Sequence, residues 1–196
     1  MTTTEFLTLI AETAAQVKSY RLGGSAADGT SDCIGLIIGA LKRGGISWPG
    51  IHGTNWAWRN AVKDTAAVSS AADTVPGDLL FKAYDPGDAG YALPSRYNSS
   101  KDRKDYYHVG VVTAVDPLRI THCTSGGIKT DTKIGQWKYR AKLKYLKDEP
   151  AAPAAESKEK DAALTRAAIS EALESARAIR ENAEKLEQTL STALKE

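Results

Sequence analysis

The chain of 196 residues carries 26 Lys/Arg against 24 Asp/Glu, a formal charge of +2, and two cysteines. That length holds one domain of about 150 residues and an appendage. So even a balance gives no basis for a nucleic-acid partner, and two cysteines outside any C-x-x-C pair exclude a disulfide framework. His122-Cys123 stands without further residues at ligand spacing, so no metal is expected, and nothing in the sequence implies another cofactor.

In chain order, residues 4–20 read as a helix, with Phe6, Leu9, Ile10, Thr13 and Val17 on one face and Thr3 or Thr4 as its cap. The first residues have no basic run and include Glu5 and Glu12, so they do not read as a signal peptide. No apolar stretch reaches the roughly 18–20 residues of a membrane span. The expectation is synthesis in the cytoplasm, with any action outside depending on another route of release. Gly23-Gly24 ends this unit, and residues 25–31 read as a polar loop.

A second helix is predicted from Cys33 to about Arg43, stopping at Gly44-Gly45. It is apolar almost all round (Ile34, Leu36, Ile37, Ile38, Ala40, Leu41), as a buried central helix is. A third starts at Thr54 and covers Trp56 to Val62. After the turn at Val75-Pro-Gly-Asp78, Leu79 to Phe81 enter a strand, and residues 83–106 form a long polar loop. Strand-like runs follow at 107–115, 118–123, about 128–132 and 139–146. Helices first and strands afterwards predict an α+β fold, with the helices packed on an antiparallel sheet. The division is residues 1–147 as a domain, 148–160 as a Pro/Ala/charge-rich linker and 161–196 as a helix. In that last segment Ala162, Ile169, Ala176, Ala183 and Leu190 alternate with Thr165, Ala172, Ile179, Leu186 and Ala193 at coiled-coil spacing. This predicts self-association, or docking to a partner, through an Ala-rich seam.

The chemistry centres on Cys33. Asp32 is a good N-cap, and a cap immediately before a cysteine sets the sulfur among the unpaired N–H groups of a helix start. The dipole there favours thiolate, the nucleophilic form. His108 and His122 lie on successive strand-like runs. If these pair as a hairpin around Asp116-Pro117, both imidazoles point the same way. One then serves as base to the thiol, and the other fixes its tautomer. A cysteine on a helix with histidines on following strands is a papain-like set of parts. Cys123 falls on the face opposite His122 and reads as structural, while His52 has no partner pattern. The tryptophans and tyrosines could line a groove, but core packing and loop anchoring are the preferred reading.

Four segments, in order, resemble the NlpC family of bacterial cell-wall cysteine peptidases. Tyr20-Arg-Leu-Gly-Gly24 is similar to its Tyr-x-x-Gly-Gly segment, and Asp32-Cys-Ile-Gly-Leu36 to its Asp-Cys-Ser-Gly-Leu. Pro76-Gly-Asp-Leu-Leu-Phe81 is similar to its Pro-Gly-Asp-Leu strand entry, and His108-Val-Gly-Val-Val112 to its His-Val-Gly-Ile strand. The resemblance covers residues from about 10 to 146 and implies a papain-like cysteine peptidase fold. It implies Cys33 as nucleophile, His108 as base and His122 as the third catalytic residue, with Tyr20 and Asp32 holding the free amine of a stem peptide. The substrate it implies is a peptidoglycan stem peptide, cut between γ-D-glutamate and a diamino acid. Ile34 stands where the family has Ser, so one hydroxyl of the amine site is missing. A single such domain without a signal peptide suggests a phage or prophage lysin. The alternatives are an amidase or acyltransferase on the same fold, and a catalytically silent cell-wall binding module.

Overall fold

A computed structural model describes residues 1–147. The predicted linker and C-terminal helix lie outside the described residues. The first helix, α1 (Thr3–Gln16), is capped by Thr2, which forms a reciprocal capping box with Glu5. It ends earlier than the periodicity predicts. Val17 is already extended, and Ser19–Tyr20 (β1) pairs in parallel with Thr30–Ser31 (β2), inside the segment read as loop. This short pairing sets Tyr20 beside the start of α2 (Cys33–Arg43).

Helix α2 is buried along nearly its whole length, from Cys33 to Leu41. Two glycines let the preceding chain lie against it. A Cβ on Gly35 would stand 1.7 Å from the carbonyl oxygen of Gly24, and one on Gly24 would stand 2.8 Å from that of Thr30. The third helix, α3 (Thr54–Asn60), stops before Val62, which instead opens β3 (Val62–Ala67). That strand is a departure from the sequence reading. Its ladder partner is β8 (Tyr139–Leu143), far along the chain, so no local pattern announces it.

The remaining strands are β4 (Leu79–Tyr84), β5 (Asp105–Val115), β6 (Leu118–Thr124) and β7 (Gly127–Asp131). With β3 and β8 they form a six-stranded sheet in the order β3-β8-β4-β5-β6-β7, with antiparallel pairing throughout. The α+β expectation of helices and an antiparallel sheet holds. One core packs Phe6, Ile10 and the apolar side of α2 against Leu79, Phe81, Val109, Val111, Ala141 and Leu143. The other joins Leu80, Val112, Leu118, Ile120 and Trp137. Alternation along β4 and β5 divides the side chains between the two, as a period of two requires.

The polar segment 85–104 is tied down at its base. Arg59 of α3 donates to the carbonyls of Asp102 and Lys104, and Trp58 Nε1 donates to Asp102 Oδ2 at 3.1 Å. Asn55 Nδ2 donates to Asp105 Oδ1 at 2.7 Å, and Asn55 Oδ1 accepts from the N–H of Tyr106. Trp58 stacks on Tyr106 with ring centres 4.2 Å apart, so these two aromatics serve packing.

Replacing Gly35 by Ala drives a methyl into the Gly24 carbonyl, which is backbone and cannot rotate away. The expected outcome is a loss of about 1–3 kcal/mol, the scale of overpacking in a tight core. Thermal unfolding of the two proteins measures it. An unchanged midpoint would mean that the Gly23-Gly24 turn yields freely.

Candidate functional site

The start of α2 sits where the sheet opens. The β5–β6 ladder runs from Val115↔Leu118 to Val111↔Thr121. Beyond it, the backbone N–H of Val109 favours the charged form of the Cys33 thiol, and Cys123 Sγ donates to the Ser31 carbonyl at 3.4 Å. The segment Ser31-Asp32-Cys33 thus lies against β5 and β6. Cys33 is brought to the residue that follows His108.

Asp32 holds this segment in place and is 2 % exposed. Its Oδ1 accepts from the N–H of Gly35 at 2.7 Å, as an N-cap does, and its Oδ2 accepts from the N–H of Gly23 at 2.7 Å. His52 Nε2 lies 2.9 Å from Oδ1 and 2.8 Å from Oδ2. His52 therefore has a partner that the sequence did not reveal. Its loop lies some twenty residues from Asp32, and no spacing rule connects them. Tyr20 stands close enough to Cys33 and Asp32 for their negative forms, after its own burial, to push its phenol pKa up.

The thiol itself departs from expectation. Burial, reinforced by the Asp32 carboxylate, pushes Cys33 up to about 12, and the N–H groups of Val109 and Ile34 only partly offset this. Desolvation of a thiolate outweighs the helix start here. Cys33 rests as a neutral thiol.

The two strand histidines meet. His108 Nε2 and His122 Nδ1 are 2.8 Å apart. Trp137 walls both rings, with centroids 5.5 Å from His108 and 5.3 Å from His122. Gly110 leaves the room they need, because a Cβ there would come within 2.9 Å of Trp137 and 3.2 Å of His122. Burial, then the neighbouring His122 and Lys82, lower His108 to about 4, while Asp131 acts in the opposite sense. His122 is lowered too, mainly by burial, against the pull of Asp131. His108 Nε2 is engaged by His122, so Nδ1 of His108 is the ring nitrogen that this pair does not use. Cys123 is fully buried, bound to Ser31 and pushed up to about 11 by burial. Both cysteines are free thiols.

Among the described residues no group of three or more His, Cys, Asp or Glu side chains is arranged to hold a metal ion, and no helix is long and apolar enough to cross a membrane.

No family model matches the chain, and no curated protein matches it. Among solved structures, the chain is similar to a protein described as similar to a lipoprotein of the NLP/P60 family from Staphylococcus aureus subsp. aureus Mu50. The identity is 19 % and the TM-score 0.45, over 74 % of this chain and 42 % of that one. The chain therefore matches less than half of that protein's length.

A histidine lowered to about 4 is uncharged above that pH and gains its proton only below it. An NMR titration of the three ring systems should give His108 a midpoint near 4, below the ordinary value of 6.5. A midpoint at the ordinary value would mean that water reaches the ring far more freely than its packing against Trp137 allows.

Proposed function

We propose that this chain is a thiol hydrolase that cleaves an amide bond through Cys33, His108 and His122. The observation that carries the reading is the meeting of a capped, cysteine-bearing helix start with a strand whose histidine is hydrogen-bonded to a second histidine at 2.8 Å. Those are the parts a papain-like reaction needs: a nucleophile, a base and a group that orients the base.

In this reaction His108 takes the thiol proton as sulfur attacks the carbonyl carbon. The first N–H groups of α2 receive the charge that develops on oxygen. His108 then gives the proton to the leaving amine, the C–N bond breaks and a thioester remains. Water, deprotonated by the same imidazole, releases the acid and restores the thiol. Because the resting pair is neutral, proton transfer accompanies attack and does not precede it.

The substrate class rests on the four-segment resemblance described above: a peptidoglycan stem peptide, cut between γ-D-glutamate and a diamino acid. Tyr20, beside the thiol, is the proposed contact for the part of the peptide on the acyl side. Asp32 would meet an ammonium group only if His52 gave up its place on the carboxylate. The proposed setting is release of the protein onto the cell wall, as a phage or prophage lysin acts.

Zymography on cell walls of different chemotypes, with mass spectrometry of the fragments, tests the reaction and the bond. Cys33→Ala should lose hydrolysis while the fold persists; turnover equal to the parent would end the thiol mechanism. His108→Ala should lose about 10²–10⁴-fold, the scale of a general base. His122→Asn should lose less, because an amide oxygen can still accept from His108. The reverse order would exchange the two roles.

A further inference from the structure

The His108–His122 pair does not end at His122. His122 Nε2 is buried and has no well-aligned hydrogen bond, but Asp131 Oδ1 stands 3.3 Å from it. The other oxygen of Asp131 accepts from Trp137 Nε1 at 3.1 Å. Asp131 reaches this position through strand register. On β7, Lys129 lies opposite His122 and Asp131 lies opposite Ile120, so Asp131 shares a face with Lys129 and sits diagonally from His122.

A neutral imidazole carries one proton, so each hydrogen bond in such a chain decides the next. A carboxylate at Nε2 of His122 requires the proton there. That leaves Nδ1 of His122 as an acceptor, so Nε2 of His108 must donate to it. The lone pair of His108 is then on Nδ1. Removing the acceptor at the end frees both rings to hold their protons on the other nitrogen, which leaves His108 with no lone pair on the side it needs.

We propose that Asp131 is a positioning residue of this site, fixing the tautomer of His122 and, through it, that of His108. The inference rests on the hydrolase reading for its use, but not for its existence. The choice of Asp has a physical reason. Two donors, Trp137 Nε1 and His122 Nε2, converge on the side chain, and a carboxylate offers an acceptor to each, whereas an amide has one oxygen. The charged groups that act on His122 are Asp131, Lys82 and Lys129. The two lysines oppose protonation, and Lys82 also lies 4.7 Å above the Trp137 ring.

The test reads the tautomers directly. Multiple-bond ¹H–¹⁵N spectra of the full-length, ¹⁵N-labelled chain at neutral pH resolve the ring nitrogens, and the chain has only three histidines. In the parent, His108 and His122 should both carry the proton on Nε2. In Asp131→Ala both patterns should move toward the Nδ1-protonated form. Asp131→Asn, closest in shape, should fall between the two because its one oxygen serves one donor at a time, and it keeps the test decisive if the Ala variant does not fold. Cell-wall hydrolysis should drop about 10- to 100-fold in the Ala variant, the scale seen when an outer partner that fixes a histidine tautomer is removed. Parent-like tautomers in both variants, or a parent His122 protonated on Nδ1, would overturn the proposal. The spectra need no substrate. A relay that responds to Asp131 in a protein that cuts no cell wall would leave the inference standing and remove the hydrolase reading.

Discussion

The site depends on one buried carboxylate. Asp32 ties the Gly23 turn, the first turn of α2 and the His52 loop to a single point. A charge this deep is tolerated only when its oxygens are satisfied, and here donors surround them. The same contacts set the position of Cys33, the next residue. Without Asp32, α2 would lose its cap and the Tyr20 segment its anchor, so the thiol would no longer be held against Val109. The glycines at 24 and 35 belong to the same constraint, because only a chain without side chains there can approach closely enough for the carboxylate to bridge it.

Strand β5 carries the other half of the geometry. Val109 and Val111 join the core beneath α2, while Val112 joins the core that contains Trp137. His108 and Gly110 face the Trp137 side, beside His122. Packing on both faces thus fixes the strand that holds His108. The helix start reaches it beyond the end of the β5–β6 ladder, where the backbone N–H of Val109 eases negative charge on sulfur.

Much of this was legible in the sequence because it is local. Asp32 before an apolar run announces a capped helix, and the alternation in His108-Val-Gly-Val-Val112 announces a strand with one histidine-bearing face. The hairpin that joins β5 to β6 followed from the turn at Asp116-Pro117, but the meeting of His108 and His122 also needs the register shift between Val112 and Ala114, since plain alternation out from Val115↔Leu118 would put the two histidines on opposite faces. What escaped the sequence is set by distance along the chain. β1 and β2 are two residues each, too short for any periodicity. β3 is half exposed and has its partner at the far end of the domain, while His52 finds Asp32 across a loop. Asp131 was within reach: the Ser125-Gly126 turn fixes the β6–β7 register, and counting outward from it sets Asp131 diagonal to His122.

The state of the thiol is hidden from the sequence for a different reason. A helix start favours thiolate through a partial charge, but taking sulfur out of water beside a carboxylate costs more. Asp32, which builds the site, also makes a resting thiolate unfavourable. A neutral thiol is slow to be alkylated or oxidised, because those reactions need thiolate. In the proposed reaction the positive end of α2 is then left for a different anion. Negative charge appears there only when sulfur has bonded to a carbonyl carbon, on an oxygen at the first N–H groups of the helix. Withholding stabilisation from the resting thiolate and giving it to the oxyanion is what differential binding of a transition state requires. On that proposal, burial that looks unfavourable for a nucleophile ties the reactivity of Cys33 to the presence of an amide in the site.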